Sequence, residues 1–266
     1  MPRPKITSVQ YFDCGSCKNF MPLIYLWHKP QVRRFPSGVF LIKHSDGRYI
    51  LFDTGYSRVL YKTGIKGWLY RTLNPTTIEP ENEIATQLSV QGIDPNSITH
   101  VVLSHLHPDH IGGIASFPDS SFIISRSMHK ILQQPKFTDL VFLQHIPAWF
   151  SSKAAVLDNK DFVSIEGIPF QVHDLFGDES ILICQLPGHT AGHLGVLINK
   201  EILLAGDAAW GADLLPLTRY MSPAARSVQN DFSRYKDTVN AIEKLRDNGM
   251  SVYCSHDVIT KKELLS

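Results

Sequence analysis

The stretch His100-Val-Val-Leu103-Ser104-His105-Leu106-His107-Pro108-Asp109-His110-Ile111-Gly112-Gly113 decides how this chain is read. It opens with a short β-branched run, which predicts a buried strand. Four potential metal ligands, His105, His107, Asp109 and His110, then fall within six residues. A loop leaving a strand end can turn these side chains towards one point. Pro108 stiffens it, and the paired glycines let a following helix begin close by. Imidazole nitrogen with carboxylate oxygen is a donor set that suits Zn²⁺, and also Mn²⁺ or Fe²⁺.

Outward from this stretch the same pattern recurs. Leu186-Pro187-Gly188-His189 follows the apolar run Ile181–Cys184, Ile202-Leu-Leu-Ala-Gly206-Asp207 ends a strand on a carboxylate, and Val252-Tyr-Cys-Ser255-His256 ends another on a histidine. Every candidate ligand thus stands at a predicted strand end. His193 opens the run Leu194–Ile198 and is expected behind the ligands rather than among them.

Further strands are predicted at Val39–Lys43, Tyr49–Phe52 and Phe122–Ser125, with turns at Asp46-Gly47 and Asn199-Lys200. Helices are predicted at Glu81–Gln91 and Asp231–Asn248, the second placing Tyr235, Val239, Ile242 and Leu245 in one stripe. Strands and helices mix throughout, without a linker or a repeat, so residues 1–266 are expected to form a single α/β domain. Two long irregular segments, 54–78 and 208–229, are expected to build a substrate pocket.

Composition agrees with a folded enzyme: 43% hydrophobic and 19% charged residues give no signature of disorder. No run reaches the ~18 apolar residues of a membrane span, and Met1-Pro-Arg-Pro-Lys-Ile6 has no signal-peptide core, so the cytoplasm is the expected location. The net charge of +1 hides an asymmetry. Residues 1–75 carry 12 Lys and Arg against 3 Asp, a surplus of +9, while the rest carries 14 against 22 acids, or −8. A basic first quarter can face an anionic substrate or a membrane surface; it can equally be a solvated face. Cys14 and Cys17 are read as reduced thiols packed in a loop.

Taken together, these motifs resemble the metallo-β-lactamase superfamily, whose His-x-His-x-Asp-His signature is matched from His105 to His110 and whose later ligands match His189, Asp207 and His256. Phe52-Asp53-Thr54-Gly55 resembles the early Asp-Thr-Gly turn of that family, which lies under the metals. The resemblance runs over residues 38–257 and implies an αββα sandwich of two similar halves. It also implies two divalent metal ions, Zn²⁺ first: His105, His107 and His189 on one, Asp109, His110 and His256 on the other, and Asp207 bridging. A hydroxide shared by the two ions would attack an ester-type carbonyl, with Asp109 as proton shuttle.

Within the superfamily the layout is most similar to the N-acyl homoserine lactonases and 4-pyridoxolactonase, which implies a small-molecule lactone carrying an acyl chain. Those lactonases place a tyrosine three residues after the bridging aspartate, where this chain has Trp210. Indole donates one hydrogen bond but cannot exchange a proton as phenol does, so Tyr220 is a candidate replacement. Trp210, Tyr220 and Trp68 are the candidate pocket residues. A thioester or phosphodiester hydrolase on the same metal site, and a non-catalytic metal-binding scaffold, are the competing readings. Nucleic acid is not expected as a partner, because only 18 positions separate His189 from Asp207 and leave no room for an inserted arm.

Overall fold

The computed structural model describes residues 5–265. The first sheet begins with the antiparallel pair β1 (Ile6–Phe20) and β2 (Val32–His44), continues through β3 (Tyr49–Phe52), takes the short β4 (Thr76–Thr77) on β1, and adds β5 (Ile98–Val102), β6 (Ser121–Ser125) and β7 (Ala154–Leu157) in parallel. The second sheet comprises β8 (Val163–Ser164), β9 (Gln171–Asp174), β10 (Ile181–Gln185), β11 (Leu194–Ile198), β12 (Ile202–Leu204) and β13 (Ser251–Tyr253). Its strands are antiparallel except for the parallel β12–β13 pair. The chain then returns to the first sheet, where β14 (Glu263–Leu265) pairs β1.

Alternation along the strands explains how the two sheets share a core. Ile181 and Ile183 of β10, with Leu194, Val196 and Ile198 of β11, join one apolar cluster with Val39–Ile42, Ile50–Phe52, Val101 and Val102 of the first sheet. Their neighbours Leu182, Cys184 and Leu197 face the other way, under the helix Phe232–Asp247. Sheets buried on both faces read as continuous apolar runs, which is why these strands are legible without alternation. The helix is capped by Asp231, whose carboxylate accepts from the Arg234 amide at 3.0 Å, and its stripe of Tyr235, Val239, Ile242 and Leu245 is fully buried. Helices Ile84–Val90 and Arg126–Gln133 pack on the first sheet through Ile84, Leu88 and Met128. The architecture is the expected αββα sandwich.

Three expectations need correcting. Cys14 and Cys17 lie on β1, not in a loop; a bulge at Gly15, φ +90°, separates them so that Cys14 packs against Gln87 of the helix Ile84–Val90 and Cys17 lines the cavity over the candidate metal ligands. The helix expected at Glu81–Gln91 is shorter, Ile84–Val90, because Pro80–Asn82 forms its own 3₁₀ turn. Segments 54–78 and 208–229 are not irregular: the first contains the helix Gly64–Leu73, the second a 3₁₀ stretch, Ala212–Tyr220, and the helix Pro223–Ser227.

Candidate metal centre

The seven predicted ligands converge at strand ends. His105, His107, Asp109 and His110 follow β5, His189 follows β10, Asp207 follows β12 and His256 follows β13. Their donor atoms fall into overlapping groups, each within 4.8 Å: His105, His107 and His189; His105, His110 and Asp207; Asp109, His110 and His256. His107 turns its Nδ1 inwards, 3.3 Å from Nε2 of His189. Asp207 stands in the middle, its carboxylate 3.4 Å from His110 Nε2, 3.5 Å from His189 Nε2 and 3.1 Å from His256 Nε2. Asp109 Oδ2 lies 3.5 Å from His110 Nε2 and 3.7 Å from His256 Nε2.

Close backbone packing makes this convergence possible. Any side chain at Gly188, φ +133°, would collide with the backbone of Tyr235, and the amides of Asn230 and Asp231 donate to the carbonyls of His189 and Gly188 at 2.9 Å. Gly112 likewise abuts residues 55–57, which carries the turn after Asp53 under the His105–His110 loop.

Several of these side chains are held from behind. The Asp53 carboxylate is completely buried on a left-handed backbone, φ +64°. It accepts from the Ser104 amide at 2.7 Å, the Ser104 hydroxyl at 2.8 Å and His110 Nδ1 at 2.7 Å. Gln229 Oε1 accepts from His189 Nδ1 at 2.8 Å, and the Pro36 carbonyl accepts from His256 Nδ1 at 2.7 Å. Such partners orient the rings and fix which nitrogen faces the centre, the one a metal ion would take in place of a proton. His193 is buried but points elsewhere: its Nε2 accepts from the Asp207 amide at 3.0 Å and so positions the aspartate's backbone. Asp257 accepts from the amides of Cys254 and Ala212, both at 2.7 Å, and ties the two strand ends together.

The residues fit a pair of cations. His105 Nε2, His110 Nε2 and Asp207 Oδ1 are buried with no hydrogen-bond partner, a costly arrangement that a coordinated ion would resolve. Electrostatics agrees. Burial, then the neighbouring histidines, hold His105 well below its ordinary pKa and His107 at about 3, leaving neutral imidazoles. Burial would also depress His256, but the Asp207 carboxylate outweighs it and holds the ring up at about 9. Burial opposes the charge on Asp109 and Asp207, yet His110 and His256 keep both carboxylates ionised. The centre thus draws positive charge into its buried core, a role divalent cations fill by displacing protons.

Above the ligands opens a cavity of about 440 Å³. His107, Asp109, His189, Asp207 and His256 form its floor; Leu23, Ile24, Phe35, Leu69, Leu73 and Val228 line its apolar wall. Trp210 lines the cavity, edge-on to His189 with ring centroids 6.4 Å apart. Trp68 and Tyr220 are not among the residues that line it. The Gly64–Leu73 helix sets this, since Lys66, Leu69, Tyr70 and Leu73 share the inward face and Trp68 falls off it. Tyr70 and Lys66 lie in the segment expected to build the pocket without being singled out in it, whereas Cys17 lies outside both expected segments; the spacing Lys66, Tyr70, Leu73 is the helical signal that marks Tyr70. A wider cleft of about 560 Å³ beside helix Phe232–Asp247 holds none of the candidate ligands.

Histidines and carboxylates meeting at the strand ends of an αββα sandwich make the architecture of a metal-dependent hydrolase. The profile of the metallo-beta-lactamase superfamily matches residues 32–254, a span that holds six of the seven candidate ligands and stops two residues before His256. The chain belongs to that superfamily. It is 30% identical to the N-acyl homoserine lactonase AttM of Azorhizobium caulinodans, over 84% of this chain and 82% of the relative. Against the AttM of Rhizobium radiobacter it is 29% identical, over 64% of this chain and 60% of the relative. A solved N-acyl homoserine lactone hydrolase, with N-hexanoyl-L-homoserine at its catalytic metal centre, shares the fold with a TM-score of 0.73 at 15% identity, covering 96% of this chain and 94% of that one.

Proposed function

We propose that this chain is a dinuclear metal-dependent hydrolase that opens lactones of the N-acyl homoserine type. The observation that carries the reading is Asp207, placed between a neutral triad, His105, His107 and His189, and the group Asp109, His110 and His256. Two cations a few ångströms apart need an anionic bridge, and this carboxylate is in place to supply it. When bound, two such ions supply an acidified water and an electrophile for the substrate carbonyl.

The protein's own residues do the rest. Asp109 faces the cavity floor as an ionised carboxylate, placed to hold a proton from the attacking water and pass it to the leaving oxygen. The wall offers an acyl chain an apolar surface, and the similarity to AttM lactonases supports that substrate class. Lys66, the one Lys or Arg among the described residues of the cavity wall, donates to the Val141 carbonyl at 2.9 Å, which leaves little for a phosphodiester.

Elemental analysis of zinc- or manganese-reconstituted protein should find two ions per chain, and Asp207→Ala should lose at least one of them with activity reduced by orders of magnitude. Acyl homoserine lactones, a thioester and a phosphodiester assayed side by side should give turnover of the lactones first. One ion per chain overturns the dinuclear centre; turnover of another class without lactone turnover overturns the substrate.

A further inference from the structure

Ring opening of an alkyl lactone expels an alkoxide, a far poorer leaving group than a phenolate, and such a reaction gains from a hydrogen-bond donor at the leaving or carbonyl oxygen. Among the described residues lining the cavity there is no serine or threonine and one tyrosine, Tyr70. The other polar groups are already engaged or unsuited. Lys66 is turned to the Val141 carbonyl, and Asn19 bonds Asn74 and the Cys17 sulfur. Cys17 is a buried thiol pushed up to about 12 by its burial and a weak donor, which leaves the Trp210 N–H as the competing donor among these residues.

Tyr70 is also prepared for the task. Its hydroxyl lies 2.8 Å from that of Tyr56, a completely buried residue just beyond the Asp53 turn. With Tyr56 donating, Tyr70 accepts and its own proton is left free for the cavity. Burial keeps both phenols protonated at neutral pH. Tyr70 is further fixed by the edge of Phe142, 5.7 Å away, and by its place on the inward face of the helix Gly64–Leu73.

Resting on the lactonase reading, we propose that Tyr70 is a catalytic residue, its phenol donating a hydrogen bond to the oxygen of the breaking ester bond, and that Tyr56 is its positioning residue. In this step water's oxygen bonds the carbonyl carbon and the ring C–O bond breaks. The departing oxygen receives the proton that Asp109 took from the water, and Tyr70 keeps its own.

Tyr70→Phe and Tyr56→Phe, reconstituted with zinc, test this with a pair of substrates: N-hexanoyl homoserine lactone and a p-nitrophenyl ester, whose leaving group needs no donor. Tyr70→Phe should lower kcat for the lactone about 30- to 100-fold with KM changed little, the ester rate within about threefold, and metal content unchanged. Tyr56→Phe should lower lactone kcat about 5- to 10-fold. The tyrosine ultraviolet difference signal on binding N-hexanoyl homoserine should disappear in Tyr70→Phe. Equal losses on both substrates, or no loss on the lactone, overturn the assignment. Should wild type open no lactone yet cleave other esters, the lactonase reading falls alone, and the comparison of an open-chain alkyl ester with the nitrophenyl ester decides Tyr70. No ester turnover and no difference signal in the wild type refute both.

Discussion

Replacing Asp53 by asparagine keeps the side chain's size and a residue that tolerates the left-handed backbone at φ +64°, so the fold should survive. What changes is one acceptor. The carboxylate receives three hydrogen bonds, from the Ser104 amide, the Ser104 hydroxyl and His110 Nδ1, at 2.7 to 2.8 Å. An amide has one oxygen. If that oxygen stays on the Ser104 amide, the NH₂ group faces His110, and the ring must accept at Nδ1. The Ser104 hydroxyl, 3.3 Å from this Nδ1 and 3.0 Å from His105 Nδ1, can reinforce that state but cannot restore the lost acceptor. The proton moves to Nε2, the atom facing Asp109 and Asp207, and that nitrogen can no longer bind a metal. The flipped amide instead sets two buried donors against each other at Ser104, a cost of about 1–3 kcal/mol. Either way the ion held by Asp109, His110 and His256 should bind about 10- to 100-fold more weakly, while the His105, His107 and His189 ion is kept. Chelator competition on zinc-loaded wild type and Asp53→Asn measures both affinities. Two ions of wild-type affinity in the variant, or equal weakening of both, would refute the reasoning.

Three other outcomes are expected. His193→Ala should retain both ions with affinity or activity reduced about 10- to 100-fold, whereas His189→Ala should lose an ion outright; equal metal loss in the two would make His193 a ligand. Trp210→Ala should raise KM for a long-chain lactone about tenfold through lost apolar wall, and Trp210→Tyr should keep kcat/KM within about threefold, read from steady-state kinetics. Burial pushes the His145 ring, beside Gly112 just beyond the His105–His110 loop, down to about 4. Its neutral form is favoured only when folded, so this contribution is complete above pH 6.5 and is lost as pH falls towards 4. It amounts to about 3 kcal/mol by the ~1.4 kcal/mol carried by each pKa unit. Urea unfolding of wild type and His145→Phe at pH 7 and pH 4.5 should show the variant losing less; parallel losses would exclude His145 as the cause.

The candidate metal ligands are legible because their spacing is local. Four ligands in six residues after an apolar run need no tertiary information to announce themselves, and His189, Asp207 and His256 each end a β-branched strand in the same way. The helix Phe232–Asp247 was equally plain, with Asp231 as its cap and an unbroken stripe. The pocket was not. Residues 64–73 mix aromatic and basic side chains on all sides, so their composition named Trp68 while helical geometry turned Tyr70 inwards. Long β1 was hidden because its bulge at Gly15 breaks the period of two that betrays a strand. The partners behind the ligands lie further still from sequence reasoning. The Pro36 carbonyl meets His256 across 220 residues, and Gln229 meets His189 across 40, and no motif marks either. A strand-end loop can specify which atoms bind a metal, since those atoms are near neighbours in the chain. Which groups orient them, and which phenol overlooks them, depends on how two sheets and their covering helices pack, and only the folded chain brings those surfaces together.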